Sequence, residues 1–267
     1  MILLAAVLVS AGCSGGDEGA TTTTAARPAT STTAPPAKGI VVLVSNDDGV
    51  AAPGIDSLVN ALEQRSDVAK VVVVAPAKNQ SGAGDKTTTG AAASAATTTS
   101  GVEAVAVAGT PADSVTHGLD VVMADDPPDL VMTGVNAGQN LGPVLSLSGT
   151  VGAARTAARR GIPAVAISQG LSTQAELDYT PGTTAAMKWL DANIGSLKAG
   201  TVTNINAPTC GKGAVRGTVE EPSATGGTAS TADALRVDVD CTSTATGTDD
   251  VSAFNAGFVV ISDAGLG

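Results

Sequence analysis

Residues 39–54 read GIVVLVSNDDGVAAPG, and this stretch decides the fold. Ile40 to Ser45 is a continuous apolar run of strand length, as in a strand buried on both faces. It ends in Asn46, Asp47, Asp48 and Gly49, and a helix-length segment, Ile55 to Arg65, follows. The same grammar returns downstream. Val71 to Ala75, Leu130 to Thr133 and Ala164 to Ser168 repeat the strand signal, and Pro111 to Met123 and Val151 to Arg160 are long enough for helices. Thr110 is placed to cap the first of these two, with Pro111 at its first position and Asp113 in its first turn. Alternating strand and helix predicts an α/β fold: a Rossmann-like, mostly parallel sheet flanked by helices, with ligands at the carboxyl ends of the strands.

Outside this core the signals are weaker. Thr87 to Ser100, leading into Val102 to Ala108, reads as an extended arm or hairpin. A helix is expected around Thr183 to Asn193, a strand at Val202 to Ile205, and a C-terminal β-rich extension of short strands from Ala214 to about Thr244, with a final strand at Phe258 to Ser262. Met187 and Trp189 stand at helical spacing among apolar neighbours and are expected in the core, and Arg155, Arg159 and Arg160 are expected on a solvated helix face.

The chain has 267 residues, 43% of them hydrophobic, enough for a substantial core. Its four aromatic residues, Tyr179, Trp189, Phe254 and Phe258, all lie in the last third, so the first half must build its core from Val, Leu, Ile and Ala. The formal charge of −11 and the shortage of aromatic side chains argue against a nucleic-acid polymer as partner.

The N-terminus has a different character. Residues 2–12, ILLAAVLVSAG, form an apolar run too short to span a bilayer and read as an export signal. Ser10, Ala11 and Gly12 before Cys13 resemble a bacterial lipobox, in which the cysteine is acylated, although no Lys or Arg precedes the run and Ser10 stands where Leu is usual. An ordinary cleaved signal is the alternative. Residues 14–38, rich in Ala, Thr and Pro, are expected to be a disordered tether, since 14–37 contain no Val, Leu, Ile or aromatic residue. The expected organisation is a signal at 1–13, a tether at 14–38 and one domain at 39–267, exported and anchored to the bacterial membrane through its lipid alone. With Cys13 set apart, Cys210 and Cys241 remain as an even pair in a compartment that permits disulfides, and they are expected to bond.

Polar groups converge after the predicted strands. Two adjacent carboxylates, Asp47 and Asp48, repel each other unless a cation or proton intervenes, and a hard divalent ion with oxygen ligands is the natural partner. The alternative is a solvated turn carrying two surface acids. Asn79, Gln80 and Ser81 follow the second strand, and Asn136 to Asn140 follow the run at Leu130. Ser148, Gly149 and Thr150 open a predicted helix, a place for a phosphate-like anion.

Other chemistries find no support. A haloacid-dehalogenase nucleophile would have to be Asn46, His117 is the only histidine and lies inside a predicted helix, no GxSxG surrounds Ser81, and no P-loop or complete GxGxxG is present.

The order of VSNDDGVAAPG (44–54), APAKNQSGAG (75–84), GTPADSV (109–115), TGVNAGQNLG (133–142), SGTVGAA (148–154), GIPAVAIS (161–168), TNINAP (203–208) and AGFVVIS (256–262) resembles the SurE family of metal-dependent 5'/3'-nucleotidases. The resemblance implies one divalent ion, Mg²⁺, Mn²⁺ or Ca²⁺, held by Asp47, Asp48, Ser81 and Asn136. It places Asn46, Ser148, Gly149 and Thr150 at the phosphate, Asp47 and Asn140 in catalysis, and a nucleoside monophosphate or similar phosphomonoester as substrate. It also implies a homodimer or homotetramer. The glutamate common in the family's helix after SGTV is absent, the stretch here reading ARTAARR (154–160). An exported binding protein that keeps the fold without turnover is the alternative.

Overall fold

The computed structural model describes residues 39–225 and 227–267; the signal, Cys13 and the whole of the tether lie outside them. Eleven strands occur among the described residues: β1 (Ile40–Ser45), β2 (Val68–Pro76), β3 (Ala93–Thr97), β4 (Glu103–Val107), β5 (Leu130–Ala137), β6 (Ala164–Gln169), β7 (Val202–Ala207), β8 (Cys210–Lys212), β9 (Thr218–Glu220), β10 (Val239–Asp240) and β11 (Val259–Asp263). The helices are α1 (Pro53–Glu63), α2 (Pro111–His117), α3 (Gly149–Ala158), α4 (Thr180–Asn193), α5 (Thr231–Ala234) and α6 (Asp250–Asn255).

The main sheet has the order β3-β4-β2-β1-β5-β6-β7-β11-β9. β4, β2, β1, β5, β6 and β7 run parallel, β3 pairs antiparallel with β4, and β11 pairs antiparallel with β7. From β1 the chain moves first to β2 on one side and later to β5 on the other. The carboxyl ends of β1 and β5 therefore flank the switch point where open α/β sheets bind ligands.

The central parallel strands are largely apolar because both faces are covered. On one face, Ile55, Leu58, Val59 and Leu62 of α1 recur at the helical repeat and are fully buried with Val42, Val44, Met132 and Ile167. Met187 and Trp189 of α4, expected in the core, pack against this cluster but are only partly buried. The opposite face packs Leu43, Val74 and Val131 against Val115 of α2 and Val151, Ala153, Ala154 and Ala157 of α3. α2 starts with the anticipated cap, Thr110 and Asp113 exchanging bonds in a capping box; after His117 it continues as a π turn over Gly118–Val122.

Two expectations change. Arg155 is not solvated: it is only 9% exposed, and its guanidinium donates to the carbonyls of Ala264 at 2.6 Å and Gly265 at 3.2 Å. Arg159 donates to the Leu266 carbonyl and pairs with Asp85, and Arg160 pairs with Asp120. The C-terminal segment crosses this flank of α3 and presents carbonyls that need donors, which the forked guanidinium supplies. The C-terminal region is also more mixed than a run of short strands. β9 joins the main sheet beside β11, β8 and β10 form a separate ribbon, and α5 and α6 intervene. A third cluster holds it together, with Phe254, Leu141, Val239 and Val251 buried, and Cys210 and Cys241 are joined by a disulfide across 31 residues of sequence.

Candidate metal and phosphate site

After β1 the chain turns sharply. The Asn46 side chain closes the turn from both ends, its Nδ2 donating to the Gly49 carbonyl at 2.8 Å and its Oδ1 accepting from the Gly49 amide at 3.1 Å. Gly49 has φ +108, open to glycine and strained for any other residue. Asn46 is fully buried, so the expectation that it contacts phosphate is corrected: its amide builds the turn that presents its two neighbours.

Those neighbours point to different elements. Asp47, 3% exposed, faces the start of α3 and accepts the Thr150 hydroxyl on Oδ1 at 2.6 Å. Gly149 lies hard against it, since a Cβ there would sit 2.9 Å from Asp47 Oδ2 and 2.8 Å from Asp47 Cβ. Ser148 caps this helix, its Oγ accepting from the Val151 amide at 3.0 Å. Asp48 is half-buried and turns toward the end of β5, where the Ala137 amide donates to Oδ2 at 2.9 Å and Asn79 Nδ2 donates to Oδ1 at 3.2 Å. Asn79 also accepts the Ser81 amide at 3.0 Å, so one side chain bridges Asp48 and Ser81.

The β5 loop completes the arrangement. Asn136 is buried and its Nδ2 donates to the Gly138 carbonyl at 2.5 Å, which leaves Oδ1 as its free end. Asn140 is fixed on several sides. Its Nδ2 donates to Ser168 Oγ at 2.9 Å, its amide donates to Asn206 Oδ1 at 2.7 Å, and its carbonyl accepts from Asn204 at 2.8 Å and Asn206 at 3.1 Å. Asp47, Asp48, Ser81, Asn140, Asn136 at the end of β5 and the Ser148–Thr150 start of α3 therefore all lie at one edge of the sheet.

Burial pushes the Asp47 carboxyl up to about 6, aided by the charge of Asp48 and opposed by the bonds from Thr150. Burial also raises Asp48 above the ordinary carboxylate range. Among the described residues neither carboxylate has an ion pair, and no Lys or Arg is among the groups acting on them. A buried acid and its half-buried neighbour without a cation are held in an unfavourable state that a divalent ion relieves. No group of three His, Cys, Asp or Glu residues suited to a metal occurs among the described residues, so further donors here must be amide and hydroxyl oxygens. Asn136 Oδ1 and the Ser81 hydroxyl are of that kind, and with the two carboxylates they fit a hard oxygen-seeking cation.

Three participants were not singled out from sequence: Ser168 and the pair Asn204 and Asn206. Asn204 and Asn206 carried a signal, because two amides at alternate positions on one face of a buried strand need a dedicated partner. Tyr179 is a fourth, half-buried, with its ring against Gly54 and the charge of Asp48 acting on its hydroxyl.

Comparison with known proteins matches residues 42–234 to the family described as "Survival protein SurE". A 5'-nucleotidase SurE of Methanopyrus kandleri is 39% identical over 176 residues, covering 62% of this chain and 66% of that protein. A 5'/3'-nucleotidase SurE of Edwardsiella ictaluri is 38% identical over 176 residues, covering 66% of each. A 5'-nucleotidase SurE of Methanocella arvoryzae is 42% identical over 137 residues, 51% of this chain and 50% of that protein, so the chain spans about half to two thirds of such relatives. The crystal structure of the SurE protein from Aquifex aeolicus superposes with a TM-score of 0.68 at 26% identity, covering 85% of this chain and 94% of that one.

Proposed function

The chain belongs to the SurE family, and from that premise we propose that it is a metal-dependent phosphomonoesterase acting on nucleoside 5'- or 3'-monophosphates or similar monoesters. The observation that carries this reading is the pair Asp47 and Asp48 at the switch point with no compensating cation, Asp47 buried against the opening turn of α3 and Asp48 half-buried toward the end of β5.

In this reading Asp47, Asp48, Asn136 and Ser81 hold one divalent ion, Mg²⁺, Mn²⁺ or Ca²⁺. Such an ion polarises a phosphoryl oxygen and lowers the pKa of water bound to it. Thr150 orients Asp47 through its 2.6 Å bond, and the bare Cα of Gly149 leaves room beside the carboxylate. Ser148 and Gly149 place the helix start where the phosphate's negative charge is favoured. Asn140, locked by Ser168, Asn204 and Asn206, supplies a fixed amide beside the transferring group.

The test is phosphate release from p-nitrophenyl phosphate and a panel of nucleoside monophosphates, with Mn²⁺, Mg²⁺, Ca²⁺ or a chelator, by the wild type and by Asp47→Asn. Metal-dependent release lost in the variant is expected. Tight nucleotide binding without release under any metal would instead establish a binding protein.

We also propose export and anchoring through Cys13. The Cys210–Cys241 disulfide supports an oxidising compartment, and no helix among the described residues is long and apolar enough to cross a membrane. Metabolic labelling with a fatty-acid analogue, lost in Cys13→Ala, tests the anchor. A homodimer or homotetramer is the assembly proposed, and light scattering that shows only monomer would contradict it.

A further inference from the structure

Between Asn136, which offers Oδ1 to the proposed ion, and Asn140 stands Gln139, a side chain only 5% exposed that the phosphatase chemistry does not use. Its Nε2 donates to the carbonyls of Arg236 at 2.8 Å and Ala234 at 3.3 Å, and its Oε1 accepts the Leu171 amide at 3.3 Å. These partners admit one orientation, because carbonyls accept only from the NH2 end and an amide donates only to the oxygen. A single buried carboxamide thus fastens the loop after β5 to two segments distant in sequence.

The fastening bears on both peptide groups that flank Gln139. The one before it carries the Gly138 carbonyl, which accepts from Asn136 Nδ2 at 2.5 Å and so turns the Asn136 carboxamide to leave Oδ1 as its free end. The one after it carries the Asn140 amide, which donates to Asn206 Oδ1 at 2.7 Å. Gly138 has φ +124 and no Cβ, so its backbone rotates at little steric cost. Its amide is tied to the Gln169 carbonyl at 2.8 Å, and what remains to be set is its own carbonyl, on the side where Gln139 is anchored.

The anchor is itself held. Ala234 is buried in the third cluster, the Asp233 carbonyl accepts from Asn255 Nδ2 at 2.9 Å, and β10, just after Arg236, pairs with β8 and leads to the disulfide of Cys241 with Cys210. The family match ends at Ala234 and Arg236 lies beyond it, so the shorter of the two carbonyl bonds is a feature of this chain outside the shared pattern.

We propose that Gln139 is a positioning residue for the metal centre: held by the carbonyls of Ala234 and Arg236, it fixes the Gly138 carbonyl that orients Asn136 toward the divalent ion. This rests on the metal-dependent reading of the site. It makes the backbone of 234–236, outside the catalytic loops, part of what sets metal affinity. Groups that orient a metal ligand from behind change affinity or activity by about 10–100-fold when removed.

The test is Mn²⁺ titration calorimetry on the wild type, Gln139→Met, Gln139→Asn and Leu62→Ala, with hydrogen exchange at the Gly138 and Asn140 amides in metal-free buffer. Met keeps the length of the side chain and loses all three bonds, Asn keeps the carboxamide one carbon short, and Leu62→Ala opens a cavity in the core near the end of α1 to show what lost stability alone does. Gln139→Met is expected to weaken Mn²⁺ binding about tenfold and to speed exchange at both amides, Gln139→Asn to do so less, and Leu62→Ala to lower the Tm with Mn²⁺ affinity unchanged. Unchanged Mn²⁺ affinity in Gln139→Met overturns the proposal, as does an equal loss in Leu62→Ala. Gln139→Asn decides in the same way if Gln139→Met does not fold. If the wild type binds no Mn²⁺, the metal reading falls by itself, and exchange then decides the anchor: faster exchange in Gln139→Met supports it, and unchanged exchange overturns it.

Discussion

At the end of β1, Asp47 is buried and its carboxyl is pushed up to about 6; just before β10, Asp238 is only partly buried and its carboxyl is held at about 2. Both accept hydrogen bonds, so bonding alone does not separate them. Asp47 receives the Thr150 hydroxyl, loses its solvation and meets a second acid, whereas Asp238 gathers Ser172, Thr173 and Gln174 while keeping part of its hydration. The contrast separates two uses of one residue type. A carboxylate that fastens loops is stabilised by its own surroundings, and a carboxylate at a site is left in need of a ligand.

The comparison can be broken at its functional end first. Asp47→Asn is expected to lower metal-dependent phosphate release by at least about a hundredfold, measured as kcat/KM with saturating Mn²⁺. Removal of the disulfide by Cys210→Ser with Cys241→Ser comes next. It is expected to destabilise the domain by about 3 kcal/mol, read by urea unfolding, because the 31-residue separation closes a long loop in the unfolded chain.

A third prediction has the opposite sign to the first. Because the Asp47 pKa is raised above its unfolded value of 3.8, its stabilising contribution is present below that value and lost as pH rises through about 6. In metal-free buffer at about pH 7.5, Asp47→Asn should therefore raise the Tm, by about 2–4 °C per kcal/mol recovered, while abolishing turnover. Differential scanning calorimetry with a chelator shows whether it does. The smallest effect belongs to Asp238→Asn. The lowered pKa of Asp238 gives stability present above 3.8 and lost as pH falls through about 2, and the group is still partly hydrated. Faster hydrogen exchange at the Thr173 and Gln174 amides is expected, with little change in Tm and none in the metal dependence of turnover.

Much of the frame was legible because it is local. The apolar runs at Ile40, Val71, Leu130 and Ala164 became β1, β2, β5 and β6, and the Thr110–Asp113 cap formed as its residues indicated. Asp47 and Asp48 were visible as paired acids at a strand end. What escaped depends on distant partners. The sequence does not show that Asn46 will turn inward to Gly49, that Arg155 will meet the carbonyls of Ala264 and Gly265, or that β9 will lie beside β11. Asn79 shows the same limit: its link between Asp48 and Ser81 exists only once the β1 and β2 loops are brought together.

The central claim is that Asp47 and Asp48 form the seat of one divalent cation, and Mn²⁺ titration calorimetry tests it most directly. At about pH 7.5 the wild type should bind one Mn²⁺ per chain at this site, at about pH 5 the affinity should fall at least about tenfold as Asp47 takes up a proton, and Asp47→Asn should not bind there. Absence of Mn²⁺ binding at the higher pH, or binding that survives unchanged in Asp47→Asn, would contradict the account.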